Sequence, residues 1–291
     1  MKMIIMICLL FGLSSCSTTV IKPAERVSFT METYPDICGS TVAIPLEEML
    51  MATLTDQSIE KVRPFIPITK TDEAYNNLLT KTSSLIFVTS PSQSELDLAK
   101  SANITMEIVP IISEAFVFLV NKDNIVDSLT LDQVRKIYTG EIVNWKEVGG
   151  NDVPIRAMQR PVNSGSQTGF LDLVMKGLTV MEPPVEWISA DMDSLIDMVA
   201  HYDNKPDAIG YSYYYYVTDM IGNPNVKLLK INDIAPSEKS ISDSTYPIHT
   251  NYYAVFRKSE AQDSDVRKIV AYLLSEEGQE LIEAAGYVRL K

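Results

Sequence analysis

Residues 163–170 read NSGSQTGF, with three hydroxyl side chains and two glycines in eight positions and Arg160 just upstream. Downstream, Phe170, Leu173, Val174 and Leu178 fall on one face, so the spacing predicts an amphipathic helix over 169–178. Small hydroxyl residues before a helix serve as caps. The same groups, with free N–H donors and the positive end of the helix dipole, also suit an oxyanion. A guanidinium such as that of Arg160 adds paired donors for a tetrahedral anion. On this stretch alone both readings stand.

The device recurs elsewhere. Cys38-Gly39-Ser40-Thr41 runs into Val42–Leu54, where Leu46, Met49, Leu50 and Leu54 recur at three- and four-residue steps. Gly39 there allows close backbone approach. Thr89-Ser90-Pro91-Ser92 closes the apolar run Leu85–Thr89, at a strand end of the kind where α/β proteins hold ligands. Further strand-like runs are Met106–Ile112, Ala115–Asn121, Ala208–Ser212, Val226–Leu229 and Tyr252–Phe256. Leu131–Tyr138 and Asp265–Ala285 read as helices, the second interrupted near Gly278. Alternation of this kind predicts an α/β fold.

The chain has 291 residues, enough for two lobes of roughly 100–150 residues each. Its composition, 46 % hydrophobic and 22 % charged, supports a buried core. A net charge of −13 without a basic stripe argues against nucleic acid and against adhesion to anionic lipid. An anion site here has to act through short-range hydrogen bonds and a local positive charge. Residues 1–15 read as a signal peptide: Lys2, then an apolar run Ile4–Leu13, shorter than the roughly 20 residues of a membrane span. The run ends in Leu13-Ser14-Ser15-Cys16, which resembles the lipobox of bacterial lipoproteins and implies lipidation at Cys16. Removing residues 1–15 leaves a charge of −14 and a tether over 16–26. The expectation is a soluble body, lipid-anchored to a bacterial membrane on its extracytoplasmic side. Cys8 leaves with the signal and Cys16 takes the lipid, so Cys38 has no disulfide partner and no zinc constellation forms. No metal or cofactor is expected.

The order of segments resembles the phosphate-type substrate-binding proteins of ABC transporters, of periplasmic-binding-protein fold type II. The likeness runs from about Val27 to Leu290. It rests on GSTV (39–42), IFVTSPS (86–92), LTLDQVRKIYTGEIVNWKEVGG (129–150), RPVNSGSQTGF (160–170), AIGYSYYYY (208–216), YPIHTNYYAV (246–255) and LLSEEGQELIEAAGYV (273–288). The resemblance implies two α/β lobes with the ligand cleft between them, lobe one over 27–113 and 248–291 and lobe two over 114–247. Carried over by position, Ser40, Thr41, Thr89 and Ser90 would bind from lobe one. Arg160, Ser164, Gly165, Ser166, Gln167 and Thr168 would bind from lobe two. The implied ligand is a small oxyanion, inorganic phosphate first, delivered by an expected monomer to an ABC transporter permease.

Three departures from the family pattern bear on selectivity. The second loop carries Thr-Ser-Pro-Ser where a carboxylate usually accepts the proton of hydrogen phosphate. The first begins with Cys38 in place of Asp, and the third has Gln167 for a glycine. The sequence therefore predicts weaker phosphate-over-sulfate discrimination, unless Glu114, Asp36 or a backbone carbonyl accepts that proton.

Other residues read as structural. His201 falls on a helix surface, and His249 where the chain crosses between lobes. Tyr213–Tyr216 alternates in and out if extended, with an aromatic stacking site as the sharper reading. Trp145 and Trp187 read as packing, and Glu276, Glu277, Glu280 and Glu283 as a solvated face. A serine hydrolase using Ser164 or Ser166 would need G-x-S-x-G, and the sequence gives G-S-Q-T-G. A sensor or scavenger lipoprotein without a transporter remains an alternative.

Overall fold

The computed structural model describes residues 27–162, 164–201 and 205–291; the signal peptide, the tether and Cys16 lie outside the described residues. Ten strands are assigned there: β1 (Ile37–Gly39), β2 (Leu85–Val88), β3 (Met106–Asn121), β4 (Ser128–Leu129), β5 (Arg156–Ala157), β6 (Ala208–Tyr213), β7 (Val226–Leu228), β8 (Lys230–Ile231), β9 (His249–Arg257) and β10 (Val288–Arg289). The main sheet runs β1-β2-β9-β3-β6-β5, with β7 and β10 also on β3, and β4 pairs with β8 apart from it.

The 16-residue β3 holds the two halves together. From Met106 to Ala115 it lies antiparallel to β9, with a register shift between Pro110 and Ile112. Pro110 has no N–H to give the ladder, which favours the irregularity there. From Phe116 to Val120 the same strand pairs with β6, and from Leu119 to Asn121 with β7. The sequence reads two strands here because Ser113 and Glu114 break the apolar run. The backbone nevertheless continues, since Ser113 pairs with Asn251 and Glu114 with Thr250. The result is a two-lobed α/β fold whose halves share β3.

Local chemistry explains the helices that flank the sheet. Thr130 caps Leu131–Thr139 in a reciprocal box with Gln133, and Gly140 ends it at φ 82°. The C-terminal helical stretch is two helices, Asp265–Leu273 and Glu276–Ala284. Its break falls before Gly278, at Ser275, whose Oγ accepts the Gly278 N–H at 3.2 Å. The tyrosine run is not extended: Tyr213 ends β6 and the chain turns helical from Tyr214. Trp145 is core, 1 % exposed, and donates from Nε1 to Asp207 O at 2.8 Å. Among the described residues no helix is long and apolar enough to cross a membrane.

The core behind the cleft is aromatic. Phe170 stacks on Tyr211 with centroids 4.5 Å apart and planes 4° off parallel, and Tyr138 packs on Phe170 at 4.6 Å. Contacts of this geometry add about 0.5–1.5 kcal/mol each beyond area burial. The stack fixes the position of the Tyr211 hydroxyl, which reaches the cleft machinery.

Candidate functional site

A cavity of about 400 Å³ lies between the halves, at the small end of the range for small-molecule sites. Its floor begins where β1 ends. Ser40 N donates to Phe87 O at 2.9 Å, and Thr41 Oγ1 donates to Thr69 O at 3.4 Å, so the 39–41 turn is fastened to β2 and to the 69–71 turn. Ser40 does not cap the following helix. Its Oγ is buried without a protein partner, as is Thr89 Oγ1 at the end of β2. An unpaired buried hydroxyl costs roughly 1–3 kcal/mol; two lining one cavity mark a place where a polar ligand would repay that cost.

Arg160 enters from the other half, 7 % exposed. Its Nε donates to Ser189 O at 3.0 Å, Nη1 to Ser166 Oγ at 3.2 Å and Nη2 to Ala190 O at 3.2 Å. A guanidinium has five N–H donors, so one on each terminal nitrogen is left unused among the described residues. Burial pulls its pKa down, but a guanidinium stays charged regardless. Upstream, Arg160 N donates to Tyr211 Oη at 3.0 Å and to Gln167 Oε1 at 3.2 Å. The aromatic stack thereby sets the arginine's backbone.

The 164–168 stretch divides the two roles its sequence offered. Ser164 is a cap, its Oγ accepting Gln167 N at 3.2 Å. Ser166 holds the guanidinium. Gly165 lines the cavity, and a Cβ built on it would overlap Thr71 Oγ1 and come 2.9 Å from Thr89 Oγ1, both on the opposite wall. The halves therefore meet at this glycine.

Of the ten residues expected from the sequence, Ser40, Thr41, Thr89, Arg160, Ser164, Gly165 and Ser166 line the cavity together. Ser90, Gln167 and Thr168 do not. The Gln167 side chain turns into the core, accepting from Tyr211 Oη and Arg160 N, and Thr168 is buried with its N–H on Ser164 O.

Sequence reasoning missed two segments. Lys70, Thr71 and Asp72, at the start of helix Thr71–Leu79, line the cavity. Hydroxyls just before a helix were the available signal, the one used at 39–42. The second segment is Ala190–Asp193, about 30 residues beyond the arginine it encloses, and no local pattern marks it. Tyr213 and Tyr216 complete the wall, Tyr213 Oη donating to Gly165 O at 3.1 Å. Glu114 and Asp36, the acids the sequence offered as alternative proton acceptors, do not line the cavity. Glu114 is buried in β3, 2 % exposed, its Oε1 accepting Ala115 N at 2.7 Å, and burial pushes its pKa up to about 8. Asp36 is exposed, before β1. The acids that do line the cavity are Asp72, Asp191 and Asp193. Among the described residues no cluster of His, Cys, Asp and Glu is arranged to hold a metal ion.

Comparison with known proteins agrees with this architecture. The PBP superfamily domain matches residues 49–277. The phosphate-binding protein PstS of Bacillus subtilis is 32 % identical over 170 residues, 58 % of this chain and 53 % of that protein. PstS of Borreliella burgdorferi is 26 % identical over 180 residues, 61 % of this chain and 64 % of that protein. The chain thus spans between half and two-thirds of the length of these relatives. A crystal structure from Clostridium perfringens, described as a phosphate ABC transporter substrate-binding protein with bound phosphate, aligns with TM-score 0.67 and 26 % identity over 88 % of this chain and 98 % of that one. A phosphate transport receptor from Vibrio cholerae shares the fold, with TM-score 0.64 and 23 % identity over 88 % of this chain and 99 % of that one.

Proposed function

Because the chain belongs to the PBP superfamily, we propose that it captures inorganic phosphate in the cleft between its lobes and delivers it to an ABC importer. The observation that carries this reading is the pairing across the cavity. Two buried hydroxyls without protein partners, Ser40 Oγ and Thr89 Oγ1, line one wall. Arg160, with an unused donor on each terminal nitrogen, lines the other. Neutral donors on one side and a guanidinium fork on the other complement a tetrahedral oxyanion. The proposed ligand groups are those seven cavity-lining residues of the original ten, with Thr71 added, and Gln167 as a support for Arg160.

Lobe one comprises 27–113 and 248–291 and lobe two 114–247, with β3 crossing between them and the chain returning to lobe one just before β9. Cys16 carries the lipid, the body is an extracytoplasmic monomer, and the partner is a transporter permease. A hydrolytic role finds no support at the serines. Ser164 Oγ is taken by its cap and Ser166 Oγ by Arg160, and neither histidine is bonded to them. Titration calorimetry with phosphate, sulfate and molybdate in turn tests the reading. Saturable one-to-one binding of phosphate is expected, and saturation by another of these anions with none by phosphate would overturn it.

A further inference from the structure

We propose that Glu114 is a positioning residue for the anion cleft: from the strand the two halves share, its carboxyl anchors the 213–216 stretch, which reaches both walls. The inference rests on the phosphate reading and concerns a residue outside the cavity. Four tyrosines make up that stretch. Tyr213 and Tyr216 line the cavity, and Tyr213 Oη donates to Gly165 O at 3.1 Å. Tyr215 turns the other way, its ring stacked on Tyr287 with centroids 3.8 Å apart and its Oη donating to Ala285 O at 2.9 Å. Tyr287 Oη in turn donates to Val42 O, in the segment that follows Ser40 and Thr41. The stretch is thus bonded to the Gly165 loop directly and to the Ser40 wall through Tyr287, so a shift in it moves both sets of ligand groups.

What holds the stretch is the point where β3 changes partners. Glu114 lies opposite Thr250 of β9, and two residues on, Phe116 lies opposite Tyr213 of β6. Carried one step further, that antiparallel register brings Glu114 alongside the residues just past Tyr213. There the chain turns helical at Tyr214, and the first N–H groups of a helix have no acceptor within it. The Glu114 carboxyl meets them. Burial raises its pKa, and the N–H groups of Ala115, Tyr215 and Tyr214 act against that rise, with Ala115 N 2.7 Å from Oε1. The charged side chain that also acts on it, Asp219, is another anion. No ion pair among the described residues therefore accounts for an acid that is 2 % exposed in a strand. A buried carboxyl is costly unless it is hydrogen-bonded, and the start of the tyrosine helix supplies donors that an apolar side chain would leave unanswered.

The test is phosphate affinity by titration calorimetry, with thermal melts, on Glu114→Met, Glu114→Val, Glu114→Gln and Tyr213→Phe. The two apolar variants offer no acceptor and should bind phosphate about three- to thirtyfold more weakly, the range for a residue that acts on a ligand without touching it. Glu114→Gln keeps an amide oxygen for the same N–H groups and should recover most of that loss. A defect of folding alone would lower the melting temperature without anion and leave the affinity of the folded protein in place. Tyr213→Phe added to an apolar variant should weaken binding less than it does alone, because the stretch has already moved; independent sites would add. Apolar variants within twofold of wild type, Glu114→Gln as weak as they are, or additive losses with Tyr213→Phe overturn the assignment. Should neither apolar variant fold, Tyr215→Phe takes their place, since it frees the same stretch from Ala285 outside the cavity; wild-type affinity is again the refuting result. Failure of the wild type to bind phosphate at all is a different result and refutes the reading beneath it.

Discussion

Gly165→Ala probes lobe closure with one methyl group. The added Cβ would overlap Thr71 Oγ1 and stand 2.9 Å from Thr89 Oγ1, at least about half an ångström inside ordinary contact with Thr89 and more with Thr71. Threonine is stiff at χ1, and Thr71 and Thr89 are both buried, so rotation gives little relief. Two responses remain. If the lobes stay closed, the overpacked contact costs about 1–3 kcal/mol. If they part by an ångström, the bonds from Ser40 and Thr89 to a charged oxygen stretch past useful length, at about 1.5–3 kcal/mol each. The molecule takes the cheaper course, so about 1–3 kcal/mol is expected, a loss of roughly five- to 150-fold in phosphate affinity. The clash arises only between the two walls of the cleft, which can part when no anion bridges them, so the melting temperature without added anion should hardly move. Titration calorimetry and a thermal melt together are the assay. Wild-type affinity within twofold would refute the claim that the walls meet at Gly165.

Three further outcomes are expected. Arg160→Met removes the only guanidinium that lines the cleft among the described residues and should cost about 2–5 kcal/mol of anion affinity, read by the same calorimetry; a change under twofold would remove Arg160 from the site. Ser40→Ala and Thr89→Ala each delete a buried hydroxyl without a protein partner, so affinity should fall by about 1.5–3 kcal/mol if the bond is to a charged oxygen, while the melting temperature without anion holds or rises; early melting with normal binding would refute a ligand role. Glu114 has a folded-state pKa of about 8, raised by burial from 4.5, so the folded protein binds its proton more tightly than the unfolded chain. Its contribution to stability is therefore full below about pH 4.5 and lost as pH rises through 8, and Glu114→Gln should flatten the pH dependence of urea unfolding across that window by up to a few kcal/mol; an unchanged profile would place the titration elsewhere.

What the sequence made legible follows from the range of each interaction. Helix Leu131–Thr139 could be read because its cap, apolar stripe and terminal glycine are all local. The Ser40 and Ser164 turns stood out for the same reason, although only the structure separates them: Ser164 spends its hydroxyl on a cap and Ser40 does not. Gln167 looked like a ligand because it stands in the polar loop. Its partner is Tyr211, 44 residues away, and nothing in the loop announces that tether. The 189–193 loop was invisible on the same grounds, since it reaches Arg160 through carbonyl oxygens, which every residue has. β3 was read as two strands because Ser113 and Glu114 resemble a turn; they continue the strand since β9 supplies ladder partners that the local sequence does not contain.

The manner in which Arg160 is held also resolves an apparent conflict between an acidic chain and an anionic ligand. A net charge of −13 repels phosphate at long range, but salt screens exposed charges beyond about 8–10 Å, so the contest is decided inside the cleft. Had a carboxylate fixed the guanidinium, much of its charge would already be answered and the ligand would have to compete for it. Two carbonyls and a hydroxyl fix it in its place, and no ion pair to Arg160 forms among the described residues. Neutral acceptors orient the fork without cancelling it. Asp191 and Asp193 stand near enough to favour the charged arginine in a buried setting, yet not bonded to it. The acids of the cleft can therefore stabilise the cation without occupying its donors, and this depends on Arg160 being tied down by uncharged oxygens.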